Sequence, residues 1–250
     1  MKIGAQLFTV REFCKDLDGL AESLKRVADI GYKYVQVSGV CEYDPHWLKG
    51  ELDKNGLECV LTHIPPEKLL EDAQKVAKAH DAFGCKHIGL GHRAYSEGTQ
   101  KQDLERFIDQ FGPVAKALKQ ENKYFMYHNH DQEFQKVDGK VILEHIADAF
   151  APDELGFVLD VFWVQAGGGD PAYWLEKFIG RVPVIHLKDY AYGKKMAVIG
   201  EGNINFERIF EKAEKANTQY MMVEQDNCNG EDPFDCLKRS YNNLNSMGFK

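Results

Sequence analysis

The chain has 250 residues, 44% of them hydrophobic, and a formal net charge of −8. Its size and hydrophobic content allow a sizeable core within one large domain, whereas the acidic balance and the lack of a cluster of Lys and Arg argue against a nucleic-acid binder. No apolar run approaches the roughly 18 to 20 residues of a membrane helix, and the N-terminus has no charged lead before a long apolar stretch, so we expect a soluble, cytoplasmic protein with no membrane partner.

Strand-like and helix-like segments alternate along the chain. Eight short apolar runs have the length and composition of buried strands, at residues 3–10, 34–40, 57–64, 85–91, 123–130, 155–164, 182–190 and 220–225. Amphipathic stretches between and after them predict eight helices, at residues 17–30, 45–55, 66–83, 101–120, 141–150, 171–179, 206–216 and 232–246. In the first of these helices, Leu20, Leu24 and Val27 share one face.

The helix boundaries carry the expected signals. Asp44 and Asp170 each precede a proline, which puts a capping carboxylate ahead of the first helical position. Glycines that can adopt a left-handed backbone close three helices: Gly31, Gly56 and Gly84. The alternation fits an open doubly wound sheet or a closed eightfold barrel, and the strand count and chain length favour the barrel. We therefore predict an α/β protein with a single (β/α)8 TIM-barrel domain over residues 1–250.

Metal-type side chains follow four of the predicted strands at the point where each strand ends. The fifth strand runs into His128 and His130, which share a face because residues two apart on a strand point the same way. Three later strands end in Asp160, His186 and Glu224. Active-site groups in an eightfold barrel come from the C-terminal ends of its strands. We therefore predict that one divalent metal binds at the mouth of the barrel to His128, Asp160, His186 and Glu224.

The ligand types indicate which cation would bind. Two carboxylates that face each other without a counter-charge repel, and one of them would take up a proton. A divalent metal removes this conflict. Two imidazoles and two carboxylates suit Mn²⁺ or Zn²⁺, with Co²⁺, Fe²⁺ or Mg²⁺ as alternatives. The competing interpretation is that Asp160 and His186 form a buried pair that merely bridges two loops.

Other polar residues near the strand ends are candidates for catalysis or substrate binding. Lys188 shares a face with His186, so its ammonium would lie at substrate height, where it could hold an enolate or a phosphate. The alternative for Lys188 is a plain ion pair with Asp189. Glu133 is either a second acid or base or a solvated loop acid. His63, at the end of the third strand, is a candidate substrate contact.

Weaker signals concern anions. Arg11 and Arg93 follow predicted strands and are candidate anion contacts. The triple glycine at residues 167–169 precedes a helix but has no GxGxxG pattern and no Lys-Ser/Thr ending, so we interpret it as a loop. Residues 199–205, reading IGEGNIN, would form a tight polar rim.

Pieces spread over essentially the whole chain form an ordered set: GAQLFTVR at residues 4–11, GYKYVQV at 31–37, YHNHDQEF at 127–134, LD at 159–160, HLKD at 186–189, GEG at 200–202 and Glu224. Together they resemble the xylose isomerase-like barrels of the sugar phosphate isomerase and epimerase family. In such proteins a metal is held by an acid after strand five, an aspartate after strand six, a histidine after strand seven and a glutamate after strand eight. The resemblance implies metal-ligand roles for Asp160, His186 and Glu224, with His128 in place of the strand-five acid.

This replacement bears on the reaction that the resemblance implies. In ketose epimerases the strand-five glutamate and the last glutamate are the two proton-transfer groups. Here either Glu133, His130 or Lys188 would act opposite Glu224, or the reaction is not a two-base epimerisation. A further difference follows Asp160, where some epimerases have a sugar-contacting histidine. The residue there is tryptophan, and the candidate substrate contacts are therefore Gln6, His63, Trp163 and Lys188.

The combined expectation is a metal-dependent isomerase or epimerase of a sugar, keto-sugar or sugar phosphate, acting through a metal-stabilised enediolate. A lyase of the inosose dehydratase type, acting on a cyclic keto-polyol, begins with the same step and stays open. A non-catalytic sugar-binding barrel is a further alternative, as is an endonuclease of the same superfamily, which needs several zinc ions. The partner would be a small carbohydrate, and a homodimer is expected only from the family.

Overall fold

A closed barrel of eight parallel strands forms the centre of the computed structural model, which describes residues 1–249. The strands are β1 (Lys2–Gln6), β2 (Tyr34–Val37), β3 (Glu58–His63), β4 (His87–Leu90), β5 (Tyr124–His128), β6 (Leu155–Asp160), β7 (Val184–Leu187) and β8 (Tyr220–Val223). Each strand pairs with its neighbours in chain order, and β8 closes the barrel against β1. The predicted fold class and strand count are confirmed.

Nine helices of the described chain accompany the strands: α1 (Leu17–Ile30), α2 (Pro45–Lys54), α3 (Pro66–Asp81), α4 (Gln100–Gln120), α5 (Ile142–Ala149), α6 (Val161–Ala166), α7 (Pro171–Lys177), α8 (Phe206–Lys215) and α9 (Pro233–Ser246). Two short 3-10 helices, Leu7–Phe13 and Gln132–Phe134, lie after β1 and β5. Two antiparallel hairpins pair Lys136–Val137 with Lys140–Val141, and Asp189–Ala191 with Lys195–Ala197. Within residues 1–249, we find no helix with the length and apolar character needed to span a bilayer.

Side-chain alternation places the predicted ligands inside the barrel. The lower interior contains a small apolar cluster that includes Met126, Val158, Val184 and Met222. Two positions further along the same chain segments come the four predicted metal ligands. Because residues two apart on a strand share a face, those ligands form the next layer toward the C-terminal mouth. The register also pairs Asp160 directly with His186 on the neighbouring strand.

All eight predicted strands end later than the observed ones, and the first, sixth and seventh illustrate this. The first was predicted over residues 3–10 but ends at Gln6, whose side chain accepts a hydrogen bond from Phe8 N and starts a 3-10 helix. The sixth was predicted over 155–164 but ends at Asp160, whose carboxylate caps α6 by accepting from Trp163 N. The seventh was predicted over 182–190 but ends at Leu187, where the hairpin begins. At the first two ends, a polar side chain stops the extended backbone and begins a helix.

The predicted helix boundaries are largely confirmed. The Asp44 carboxylate accepts hydrogen bonds from His46 N and Trp47 N at the start of α2, and the Asp170 carboxylate accepts from Ala172 N at the start of α7. The three closing glycines have positive φ angles, 122° at Gly31, 64° at Gly56 and 70° at Gly84. The chain therefore leaves these helices in the left-handed region that glycine adopts without a Cβ clash.

Candidate metal centre

The four predicted ligands converge at the mouth of the barrel. His128 ends β5, Asp160 ends β6, His186 lies in β7 and Glu224 directly follows β8. One ligand atom from each lies within 4.8 Å of the ligand atoms of the other three. All four residues are buried, with exposed fractions of 4% or less. Asp160 and His186 do not form an isolated pair, because His128 and Glu224 lie in the same cluster.

The closest contacts in the cluster join histidine nitrogens to carboxylate oxygens. His186 Nδ1 lies 2.9 Å from Glu224 Oε2 and 3.6 Å from Asp160 Oδ2, and His128 Nε2 lies 3.2 Å from Asp160 Oδ2. His186 Nδ1 and Glu224 Oε2 are close, yet neither makes a directed hydrogen bond. Buried polar atoms are normally paired; here the two atoms face each other, and Glu224 Oε2 also forms an ion pair with Lys188 Nζ at 2.8 Å, an arrangement that a bound cation could share.

The outer hydrogen bonds of both imidazoles leave their inner nitrogens as electron-pair donors. His128 Nδ1 lies 2.9 Å from the Gly91 carbonyl oxygen, which can only accept, so Nδ1 carries the proton. His186 Nε2 lies 2.7 Å from Gln36 Oε1, while Gln36 Nε2 lies 3.1 Å from His63 Nε2. This assignment leaves lone pairs on His128 Nε2 and His186 Nδ1, both facing carboxylates. Outer-shell bonds of this kind fix the tautomer of a metal-binding histidine, so the residues fit a divalent cation.

Burial and neighbouring charges both shift the pKa values of the titratable groups in this cluster. Burial lowers the pKa of His128, and His186 lowers it further, which favours the neutral ring. Burial also lowers the pKa of His186, but Glu224 and Asp160 outweigh it and leave the pKa raised. Burial raises the pKa of both carboxyl groups, but Lys188 and the two histidines outweigh it and hold them below their usual range. A proton and a metal would therefore compete for His186 Nδ1.

Lys188 supplies a buried positive charge beside the cluster. Its Nζ lies 2.8 Å from Glu224 Oε2, 3.0 Å from Asp160 Oδ2, and 2.9 and 3.0 Å from the two Asp226 carboxylate oxygens. Burial lowers the pKa of Lys188, but these three carboxylates outweigh it and raise the pKa above its ordinary value. The alternative ion pair with Asp189 is wrong: the Asp189 carboxylate instead accepts backbone hydrogen bonds, among them those from Gly200 N and Gly202 N.

A cavity of about 610 Å³ opens above the cluster. Six predicted site residues and Asp226 line it; the six are Gln6, His63, His128, His130, Lys188 and Glu224. Gln6 Nε2 and His130 Nδ1 are buried and have no hydrogen-bond partner. The structure thus brings donors and acceptors that a polar ligand could satisfy to the same cavity as the candidate metal centre.

Two predicted site residues, Trp163 and Glu133, do not line the cavity. Trp163 lies against His130, with ring centroids 5.3 Å apart, and Lys188 Nζ is 5.7 Å from the Trp163 ring centroid. Glu133 is fully buried and accepts hydrogen bonds from Tyr127 OH at 2.7 Å and from His130 N at 2.8 Å. Burial raises the pKa of Glu133 to about 7.

Sequence reasoning missed residues that support the ligands. Gln36 bonds to His186, the Gly91 carbonyl bonds to His128, and Asp226 binds Lys188. A signal for Gln36 was present, because it is a polar residue inside the apolar strand YVQV. The two candidate anion contacts, Arg11 and Arg93, do not line the cavity. Arg11 instead donates to the carbonyl oxygens of Phe8 and Asp226.

The fold and the site together define a (β/α)8 barrel with a candidate metal centre at the C-terminal mouth of its strands. Residues 24–240 match the family described as the xylose isomerase-like TIM barrel, and the chain belongs to this family. The resemblance noted in the sequence is thereby confirmed.

Named relatives share the fold at low identity. The chain is 23% identical to an inosose dehydratase of Mesomycoplasma hyopneumoniae strain J, over 90% of this chain and 88% of that protein. It superposes on a sugar phosphate isomerase/epimerase from Parabacteroides distasonis with a TM-score of 0.83 and 23% identity, covering 97% of this chain and 93% of that one. An L-ribulose 3-epimerase superposes with a TM-score of 0.78 and 15% identity, covering 98% and 94%. Structural likeness at these identities establishes the fold and leaves the reaction to the site itself.

Proposed function

We propose that the protein is a metal-dependent isomerase or epimerase of a small carbohydrate, moving a proton at a carbon next to a carbonyl group. The observation that carries this proposal is the convergence of two imidazoles and two carboxylates, whose ligand atoms lie within 4.8 Å of one another beneath a cavity. His128, Asp160, His186 and Glu224 would hold one divalent ion, with Mn²⁺ or Zn²⁺ fitting the donor set best. Such an ion supplies Lewis-acid polarisation of a carbonyl oxygen, which makes the neighbouring C–H more acidic.

The side chains that line the cavity take the remaining roles. Glu224 is the only metal-ligand carboxylate among the described residues lining the cavity, so it would accept the proton from the substrate carbon. Lys188 lines the same cavity and would hold the substrate oxygen on which negative charge develops. Gln6 Nε2, buried without a partner, would donate to a substrate hydroxyl. His63 would contact the substrate from the β3 side of the cavity.

A two-base epimerisation needs a second proton-transfer group opposite the first. His130 suits this role better than Glu133, because its ring lines the cavity and its Nδ1 has no hydrogen-bond partner. Burial lowers the pKa of His130 to about 2, so the ring is neutral, and it would act as a base only where negative charge developing on the substrate raised that pKa. Trp163 packs against the His130 ring and would orient it, and substrate contact by Trp163 stays a prediction.

The second candidate function is a lyase that removes water from a cyclic keto-polyol. One observation favours it: the glutamate that the resemblance expects after strand five is replaced by His128, which is bonded to Gly91 and faces Asp160. Elimination requires one base to take the proton and one acid to assist the leaving group. The 23% identical inosose dehydratase is consistent with this chemistry.

Proton exchange with solvent separates these functions. Chelator-stripped protein, reloaded with Mn²⁺ or Zn²⁺, is incubated in D₂O with a panel of ketoses and keto-inositols, and the products are followed by NMR and mass spectrometry. An isomerase or epimerase gives a deuterium-labelled isomer of unchanged skeleton, whereas a lyase gives an unsaturated ketone. Glu224→Gln should slow the exchange by roughly 100-fold or more. A failure of every panel member to exchange or react would contradict both candidates and leave a binding barrel.

A further inference from the structure

The Lys188 ammonium lies against the same carboxylate oxygens that would bind a metal ion. Its Nζ is 2.8 Å from Glu224 Oε2 and 3.0 Å from Asp160 Oδ2. These two oxygens also face His186 Nδ1, at 2.9 and 3.6 Å. The other oxygen of Asp160, Oδ1, already accepts a hydrogen bond from Trp163 N at 3.0 Å. The ammonium and a divalent ion would therefore compete for Asp160 Oδ2 and Glu224 Oε2.

The charges around Lys188 do not balance without a further cation. Its buried ammonium faces three carboxylates, those of Asp160, Glu224 and Asp226. When the imidazoles are neutral, these groups carry two more negative charges than positive ones, and one divalent ion would neutralise them. Buried charges that lack a partner are costly. Lys188 is therefore the counter-ion available to the metal-free protein, and an incomplete one.

Of the three carboxylates around Lys188, only that of Asp226 lies outside the predicted ligand set. Both of its oxygens are within hydrogen-bond distance of Lys188 Nζ, at 2.9 and 3.0 Å. The backbone here is held by the 3-10 helix after β1. Arg11 Nη2 donates to the Asp226 carbonyl oxygen at 3.1 Å, and Gln225 N donates to Thr9 Oγ1 at 3.0 Å. Asp226 can therefore hold the ammonium when the other two carboxylates bind a cation.

We propose that Lys188 is the counter-ion of the metal-free centre and that Asp226 is the positioning residue that retains its ammonium when a divalent ion binds Asp160 and Glu224. The inference rests on the metal centre of the proposed function. Without Asp226, a metal-loaded centre would leave the ammonium buried beside a second cation, with no carboxylate that the metal does not share. Such an unpaired buried charge is strongly unfavourable.

The same arrangement links metal binding to the oxyanion role proposed for Lys188. An ammonium group has three N–H donors, and here four carboxylate oxygens lie within 3.0 Å of Nζ. No donor is left for a substrate. Once Asp160 and Glu224 bind the ion, the donors that they held become available to a substrate oxygen, while Asp226 keeps the ammonium beside the cavity. Lys188 therefore binds the substrate only after the metal.

Calorimetric metal titration of Asp226→Asn tests the assignment. The variant keeps the shape of Asp226 but leaves Lys188 without its own carboxylate once the metal is bound. We expect the affinity for Mn²⁺ and Zn²⁺ to fall by at least roughly tenfold, the lower end of the effect of outer-shell partners. Asp153→Asn is the matched control, because Asp153 also pairs with a lysine, Lys119, at 2.7 Å but is exposed and precedes β6 at the opposite end of the barrel. Its affinity should equal that of the wild type, and an equal affinity in Asp226→Asn overturns the inference.

A second background separates positioning from the mere loss of a negative charge. Lys188→Gln keeps N–H donors but has no ammonium for Asp226 to hold. If Asp226 acts through Lys188, then Asp226→Asn should change the metal affinity of this variant by less than roughly threefold. A loss as large as in the wild-type background shows that Asp226 attracts the metal directly, and overturns the inference.

Nitrogen-15 NMR of labelled lysine follows the ammonium itself and decides the matter even if Lys188→Gln does not fold. Buried, hydrogen-bonded N–H groups exchange slowly with water, and the buried lysines of residues 1–249 are Lys188 and Lys123. Lys123, which precedes β5 and pairs with Asp81 at 2.7 Å, supplies the reference signal. We expect the Lys188 signal to persist in Zn²⁺-loaded wild type and to disappear through exchange in Zn²⁺-loaded Asp226→Asn. A signal that persists in both overturns the inference.

Failure of this inference and failure of the proposed function give different results. A wild type that binds metal but exchanges no sugar contradicts the proposed function and leaves the role of Asp226 intact. Equal metal affinity in wild type and Asp226→Asn, in protein that exchanges sugar, contradicts the inference alone. A wild type that takes up no divalent ion contradicts both.

Discussion

Glu133 is predicted to make the stability of the protein depend on pH, and the effect can be isolated with one substitution. Its carboxyl group is fully buried, where it accepts hydrogen bonds from Tyr127 OH and His130 N. Burial is the main reason why its pKa is raised from 4.5 to about 7. Glu133→Gln keeps the shape and an accepting oxygen but removes the titration, so the difference between the two proteins reports this one group.

The sign and size follow from linkage between protonation and folding. A carboxyl group with a raised pKa holds its proton in the folded state and has lost it in the unfolded state between pH 4.5 and 7. The free energy of unfolding therefore falls as pH rises through this window. Each unit of pKa shift corresponds to about 1.4 kcal/mol. Across the window, Glu133 should therefore lower the free energy of unfolding of the wild type by an amount on the order of 3 kcal/mol. Below pH 4.5 and above pH 7 the contribution of Glu133 to the free energy of unfolding does not change with pH.

Urea unfolding between pH 4 and pH 8 measures this difference directly. The unfolding free energy of wild type minus that of Glu133→Gln should fall by about 3 kcal/mol between pH 4.5 and 7. Glu207→Gln, the same change at an exposed residue of α8, serves as the control and should leave the pH dependence of the wild type unaltered. Parallel pH curves for wild type and Glu133→Gln would refute the reasoning, because they would mean that Glu133 ionises at the same pH in the folded and unfolded states.

Three further substitutions probe the groups around the candidate metal. Gln36→Leu removes the hydrogen bond that fixes His186 and should weaken metal binding by roughly 10- to 100-fold in a chelator competition assay; unchanged affinity would contradict the assigned tautomer. Lys188→Met leaves buried carboxylates without their cation and should destabilise metal-free protein by roughly 3 to 5 kcal/mol in urea unfolding, with saturating metal recovering much of the loss. Gly89→Ala places a Cβ 2.7 Å from His63 Cδ2, so the ring must move and the KM for sugar should rise. An unaltered KM would remove His63 from the substrate contacts.

The barrel could be predicted from the sequence because its signals are local and repeated. Short apolar runs alternate with amphipathic helices, and residues such as Asp44 and Gly56 mark where helices begin and end. The convergence of the four ligands followed from two rules, that side chains alternate along a strand and that barrel sites form at the C-terminal ends of strands. Neither rule requires knowledge of loop conformation.

Errors arose where the outcome depended on single side-chain contacts. The run VFWVQA after Asp160 is apolar enough for a strand, but the Asp160 carboxylate caps it as a helix. Lys188 pairs with Asp226, which is distant in sequence, although adjacent Asp189 was the simpler partner. The alternation of side chains along a strand already argued against a pair between Lys188 and Asp189, since adjacent residues on a strand point to opposite faces. The burial of Glu133 depends on how the loop after β5 folds, which the sequence pattern does not determine.

Metal binding by chelator-stripped protein tests the central claim most directly. Isothermal titration with Mn²⁺ and Zn²⁺ is performed on wild type and on Asp160→Asn, which retains an oxygen able to cap Trp163 N. The account predicts one ion per wild-type chain and an affinity reduced by at least about tenfold in the variant, since even outer-shell changes cost that much. A wild-type protein that takes up no divalent ion, or a variant that binds as tightly as wild type, would contradict it.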